Sequence, residues 1–257
     1  MPGPGSALKD LHGKTVVIAG GVKNLGALVA RELAVQGNPN FVLHYHRAVD
    51  KQHAADLVKE LEKLGSKAVT FEGPLHVADN VKKLFSLGKE KFGHVDIAIN
   101  TVGKVLKKPI VDISEEEYDE MFNTNSKAAF LFIQEAGRQL ADNGKIVTIL
   151  TSLLAAFTGF YSTYAGSKSP VEHFTRAAAK EFASRGISVN NVAPGPMDTP
   201  FFYGQESPEA VAYHKSQGIN GQLTDIKDIA PIVRFLVTEG WWFSGQTIFP
   251  NGGYTTR

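Results

Sequence analysis

A single doubly wound α/β domain with a seven-stranded parallel sheet is the fold this sequence predicts, on three observations. Short apolar runs alternate with amphipathic stretches along nearly all of the 257 residues, and there are seven such runs. Alternation of this kind builds βαβ units, whose strands are covered on both faces and so read as continuous apolar segments. The first run is joined to the next amphipathic stretch by a glycine-rich turn, and no linker, repeat or low-complexity block divides the chain. A chain of this length buries a full core.

Residues 1–13, rich in Pro and Gly, read as a flexible leader, and 14–257 as the folded domain. The predicted strands are Thr15–Ala19, Phe41–Tyr45, Ala68–Phe71, Val95–Ile99, Lys145–Leu150, Ser188–Val192 and Gln246–Phe249. Between them, Leu25, Leu28, Val29 and Leu33 share one helical face; so do Leu57, Val58, Leu61 and Leu64, with Gly65 as the stop. Later, Pro170 removes an amide inside a helical stretch and predicts a kink. The one irregular region, about 197–223, is rich in Gly, Pro and aromatics.

Composition narrows the function classes. Hydrophobic residues at 43% and charged residues at 21% describe an ordinary globular protein, and a net charge of +1 gives no reason to expect nucleic acid or an anionic membrane as partner. Without cysteine there are no disulfides, no thiolate catalysis and no cysteine metal sites; no metal centre is expected. The opening residues lack the apolar core of a signal peptide and no run approaches a membrane span, so a cytoplasmic location is expected.

The turn Ala19-Gly-Gly-Val-Lys-Asn-Leu-Gly26 lies between the first strand and first helix, where a pyrophosphate binds in dinucleotide folds. Gly20 can take turn angles closed to other residues, and Gly26 permits close helix-to-strand packing. Downstream, Tyr164 and Lys168 stand four apart, on one helical face, with Ser152 twelve positions before the tyrosine. A cation beside a phenol lowers its pKa and equips it to exchange a proton with a carbonyl or alcohol oxygen.

Dinucleotide folds that take NAD usually carry an acid near the end of the second strand to accept from the ribose 2′-hydroxyl. Here that strand ends His44-Tyr45-His46-Arg47, with no carboxylate before Asp50. Arg47 can instead meet a 2′-phosphate in a bidentate way, and Lys23 adds a second cation from the glycine turn; NADP(H) is the expected cofactor.

Together these residues resemble the short-chain dehydrogenase/reductase family, from about Lys14 to Gly253, with a Rossmann-type domain and a likeness to NADPH-dependent carbonyl and 3-oxoacyl reductases. The family's Thr-Gly-x-x-x-Gly-x-Gly fingerprint is kept at Gly20 and Gly26; Ala19 and Asn24 depart from it, and Asn is the residue best able to replace Gly in a left-handed turn. Asn100-Thr-Val-Gly103 matches the Asn-Asn-Ala-Gly segment, Asn125 the helix asparagine that holds a relay water, Thr151-Ser152 the Ser-Ser pair, and Pro194-Gly195 with Thr199 the segment after the sixth strand. An adenine-binding Asp is missing, since Gly73-Pro74-Leu75 stands in its place.

The resemblance implies catalytic roles for Ser152, Tyr164, Lys168 and Asn125, with Thr151 as the fallback hydroxyl. Around the cofactor it implies Gly20, Lys23, Asn24, Leu25, Gly26, His46, Arg47, Leu75, Asn100, Gly103, Tyr164, Lys168, Pro194, Gly195 and Thr199. It also implies a substrate lid at about 197–223 and a homotetramer or homodimer. Leu106, Phe157, Phe160, Tyr161, Phe201, Phe202, Tyr203 and Tyr213 point to an apolar or aromatic ketone or aldehyde; the alternatives are a 3-oxoacyl thioester and a non-catalytic NADP-binding sensor. Tyr161, with Ala165 rather than a base four residues on, reads as a decoy for Tyr164.

Overall fold

In the computed structural model, which describes residues 10–256, one sheet runs in the order β3-β2-β1-β4-β5-β6-β7. All its neighbours are parallel. The strands are β1 (Thr15–Ala19), β2 (Asn40–Tyr45), β3 (Ala68–Glu72), β4 (Ile97–Asn100), β5 (Lys145–Ile149), β6 (Ser188–Val192) and β7 (Thr247–Ile248). Each falls on a predicted run. β4 is shifted toward Asn100, which pairs with Ala19 and Thr148, and β7 shrinks to the two residues that find partners on β6.

The helices are α1 (Asn24–Ala34), α2 (Lys51–Lys63), α3 (Ala78–Phe92), α4 (Glu115–Phe122), α5 (Ala128–Gln139), α6 (Ser162–Glu181), α7 (Pro200–Tyr203), α8 (Pro208–Gln217) and α9 (Ile226–Val237). A π turn, Asn123–Lys127, joins α4 to α5. On one face of the sheet α1, α2 and α9 enclose a core that includes Val16, Ile18, Leu43, Leu57 and Val233. On the other, α3, α5 and α6 bury Val17, Phe85, Ala98, Phe132 and Val171. Core residues therefore alternate between faces along one strand, which is why β1 is apolar at every position.

Leu25, Val29 and Leu33 are buried and Leu28 packs against them, as the periodicity requires. Leu64 differs: α2 ends at Lys63, Gly65 turns the chain at φ +94°, and the leucine is left exposed. Of the expected leader, residues 1–9 lie outside the described residues. Leu11 is fully buried and its N–H donates to the Gln36 carbonyl at 2.7 Å, so the packed chain begins before Lys14. The kink expected at Pro170 does not interrupt α6, which runs unbroken over 20 residues.

Strand order reverses its direction of winding between β1 and β4. At such a switch point the loops leaving the two strands diverge and open a crevice at their carboxyl ends.

Candidate active site

That crevice, about 1090 Å³, is lined by Gly20, Lys23, Asn24, Leu25, Gly26, His46, Gly103, Tyr164, Lys168 and Thr199, among others. Its floor is the glycine turn. Gly20 has φ +71°, and Asn24 takes φ +46°, so the asparagine does adopt the left-handed backbone its place in the turn demands. A Cβ on Gly26 would lie 2.3 Å from the Gly20 carbonyl oxygen; nothing larger fits there. No side chain caps α1 at Lys23, so its first-turn amides are left to whatever occupies the crevice. These features fit a dinucleotide pyrophosphate.

His44 braces the turn from behind. The Gly20 N–H donates to its Nδ1 at 3.1 Å, so Nε2 carries the proton and donates to the Gly73 carbonyl at 2.7 Å. Burial holds this imidazole down at about 4. The unfolded chain, with an ordinary histidine near 6.5, binds the proton first as pH falls, so stability is complete above that value and is lost toward pH 4. Between about pH 7.5 and about pH 5 we expect His44 alone to cost about 2 kcal/mol. Urea unfolding of the wild type and His44→Gln should show their stability gap narrowing by that amount on acidification; a gap independent of pH would refute the neutral, bracing imidazole.

Not every expected cofactor residue reaches the crevice. Arg47 is exposed and outside its lining, directly after His46, whereas Lys23 lines it and pairs with Asp50 at 2.5 Å. Leu75 is 4% exposed within the core behind β3, so its side chain is unavailable to adenine. Asn100 is buried under the loop after β4, its Oδ1 accepting from the Val102 N–H at 3.0 Å. Pro194 and Gly195 line a neighbouring cleft instead, whereas Thr199 faces both spaces.

The second cleft, about 600 Å³, is walled by Val105, Leu150, Leu153, Tyr161, Pro196, Met197, Phe201 and Phe202, among others. Tyr164 lines both compartments and so marks their junction. Of the aromatics proposed from sequence, Tyr161, Phe201 and Phe202 reach this cleft; Phe157, Phe160, Tyr203 and Tyr213 are exposed, and Leu106 packs against the cluster of Met121, Tyr161 and Tyr164.

Tyr164 and Lys168 lie one turn apart on α6 and are both buried. The Lys168 ammonium donates to the Ile149 and Val102 carbonyls at 2.9 and 3.2 Å rather than to the phenol, and burial pulls it down to about 8. Burial pushes Tyr164 up to about 12, against a hydrogen bond with the Thr151 hydroxyl that lowers it. Desolvation is the dominant influence on this phenol. Its proton is held throughout the neutral range.

Between the two candidate hydroxyls, Thr151 is the one whose influence lowers the Tyr164 phenol, and both line the cleft. Ser152 also lines the cleft, with its N–H donating to the Pro194 carbonyl at 2.9 Å, and opens a short 3-10 turn for which Thr151 is the N-cap. Asn125 is 1% exposed, in the π turn, a distortion frequent at functional sites. Its amide donates to the Lys104 carbonyl (2.8 Å) and Ser167 Oγ (2.9 Å), and its oxygen accepts from the Lys104 N–H (2.9 Å). The side chain thus ties the loop after β4 to α6, an engagement that sequence spacing does not disclose.

Tyr161 is no rival acid. Burial and the Glu206 carboxylate that accepts from its hydroxyl both push it well above the ordinary tyrosine range. Glu206 itself, absent from the sequence reading, lines the cleft with a side chain 1% exposed. Among the described residues no His/Cys/Asp/Glu group is arranged to hold a metal ion, and no helix is long and apolar enough to cross a membrane.

Known proteins resemble this chain over nearly its whole length. The profile of the family described as Enoyl-(Acyl carrier protein) reductase matches residues 20–255. A dehydrogenase from Burkholderia cenocepacia, solved with bound NADP, is 57% identical over 98% of this chain and 97% of its own, with a TM-score of 0.95. Hydroxynaphthalene reductase-like protein Arp2 of Metarhizium brunneum is 32% identical over 96% of this chain and 97% of its own length. The NADPH-dependent aldehyde reductase-like chloroplastic protein of Arabidopsis thaliana is 30% identical over 95% of each.

Proposed function

The chain belongs to the short-chain dehydrogenase/reductase family as an NADP(H) oxidoreductase, and from that premise we propose that it reduces a ketone or aldehyde to an alcohol, with Tyr164 as the proton donor. One observation carries this reading. The buried phenol of Tyr164 stands where the dinucleotide crevice meets an aromatic-walled cleft.

NADPH bound in the crevice supplies the hydride. The chain's own groups do the rest. Tyr164 keeps its proton at neutral pH and delivers it to the substrate oxygen as negative charge develops there. The Thr151 hydroxyl, whose influence lowers the same phenol, orients it and shares the oxygen, with Ser152 beside it in the cleft wall. Lys168, held by two backbone carbonyls, presents positive charge at the crevice floor. Asn125 acts as a positioning residue, its side-chain amide tying the loop after β4 to the helix that carries Tyr164 and Lys168.

The cleft's apolar walls suit an apolar or aromatic carbonyl compound, in keeping with relatives named for hydroxynaphthalene and aldehyde reduction. Segment 197–223 serves as its cover, since Met197, Phe201, Phe202 and Glu206 are all walls. For assembly we favour a homotetramer: Phe130 on α5 is exposed and stacks edge-on against Phe174 of α6, leaving an apolar helical face to be covered.

A panel of aryl ketones, diketones, quinones and 3-oxoacyl esters, followed by NADPH oxidation, tests the reading. We expect turnover with aryl ketones to exceed that with 3-oxoacyl esters by about tenfold or more, the usual worth of one well-filled apolar pocket. Tight NADPH binding with no turnover of any carbonyl would favour the sensor alternative.

A further inference from the structure

The aromatic cleft holds one side chain that its apolar walls do not explain. Glu206, between α7 and α8, is buried to nine-tenths or more, yet it lines the cleft. Three segments converge on it, two of them distant in sequence. Lys107 Nζ, from the loop after β4, lies 2.5 Å from Oε2, and the Tyr161 hydroxyl at the start of α6 donates to Oε1. His214 Nε2, on α8, stands 3.6 Å from Oε2 while its Nδ1 meets the Tyr254 hydroxyl at 2.8 Å.

Two hydrogen bonds and the His214 contact leave part of a carboxylate's roughly four lone-pair sites unused. A buried acceptor in that condition is costly unless a partner arrives. The cation that neutralises the pair is behind it: Lys107 does not line the cleft, whereas Glu206 and Gln205 do. What faces an incoming molecule is therefore acceptor capacity with its charge already balanced. A neutral O–H or N–H donor satisfies it, and an anionic group is repelled.

Building on the carbonyl-reductase reading, we infer that Glu206 is a specificity-determining residue. It accepts a hydrogen bond from a hydroxyl or N–H that the substrate carries in addition to its reducible carbonyl. The preferred substrates are then hydroxylated aromatic or ring-fused ketones, the aromatic walls taking the ring and Glu206 the second polar group.

The test uses the ring-hydroxylated isomers of 1-tetralone, each compared with its own methyl ether and with the unsubstituted parent. Both kcat/KM with saturating NADPH and Kd for the NADP-loaded protein are measured. In the wild type at least one hydroxylated isomer should be favoured about tenfold over both comparators, chiefly through KM, as for a hydrogen bond to a charged group. In Glu206→Leu that ratio should fall to within about twofold of unity, and Glu206→Gln should lie between. Because the ratio is internal to each protein, a general loss of activity does not obscure it, and the isosteric Gln variant serves should the Leu variant fail to fold. Absence of any preference in the wild type, in turnover and in binding, overturns the inference, as does a preference that survives both substitutions. Preferential binding without reduction would instead sink the carbonyl-reductase reading and leave Glu206 its role.

Discussion

Tyr164→Phe should abolish most carbonyl reduction while leaving NADPH binding intact. The substitution deletes one oxygen and keeps a ring that packs at 6.3 Å from Tyr161 and 6.4 Å from Phe201, centroid to centroid. Only the interaction with Thr151 is lost, so the fold and the crevice should be little disturbed. The chemical step, by contrast, loses its proton donor, and positioned proton transfer contributes on the order of 10²–10⁴ in rate. We therefore expect kcat to fall by about a thousandfold, with the NADPH dissociation constant, read from cofactor fluorescence, within about threefold of wild type. Thr151→Val should follow in the same direction by about a hundredfold, and Ser152→Ala by less, because Thr151 is the hydroxyl whose influence lowers the phenol. A Tyr164→Phe enzyme retaining a tenth of wild-type turnover would remove the tyrosine from the mechanism.

Cofactor preference should respond as strongly to two cations. Each charge-assisted contact with a 2′-phosphate is worth about 1.5–3 kcal/mol, or roughly tenfold to a hundredfold in affinity. Arg47 directly follows His46 of the crevice lining, so Arg47→Asp should shift the NADPH/NADH ratio of kcat/KM by about a hundredfold toward NADH, a carboxylate there repelling the phosphate that the guanidinium attracts. Lys23→Ala has a second consequence, specific to this chain. Lys23 now neutralises Asp50, which lines the crevice at the same end as His46. Without the lysine, that carboxylate is free to accept from a ribose 2′-hydroxyl, so NADH should gain as NADPH loses. An unchanged ratio in Arg47→Asp would remove that residue from phosphate recognition.

Most of the scaffold could be read from the residues alone, because buried parallel strands announce themselves as apolar runs and because a glycine turn is a local feature. The left-handed Asn24 and the tight approach at Gly26 follow from backbone sterics within eight residues. Boundaries were less legible. Tertiary pairing, which sequence periodicity does not carry, shortened β7 and moved β4. Leu75 shows the limit of transferring a position: its side chain belongs to a core that only the packing of α3 against the sheet creates. Thr151 and Ser152 are adjacent, so spacing could not separate them; both line the cleft, Thr151 as the N-cap of the 3-10 turn that Ser152 opens. Glu206 was beyond reach altogether. Lys107 is 99 residues from it and Tyr161 is 45 residues from it, and no motif links them.

The walls shared by the two compartments bear on how this enzyme can be redesigned. Met197, Thr199 and Phe201 face the dinucleotide crevice and the substrate cleft alike. Trimming any of them to admit a bulkier ketone also enlarges the crevice, so a gain in scope is traded against the fit of what the crevice holds. Leu153, Phe202 and Pro196 border the cleft without bordering the crevice. Libraries confined to those three positions can reshape substrate scope while the hydride donor's seat stays as it is.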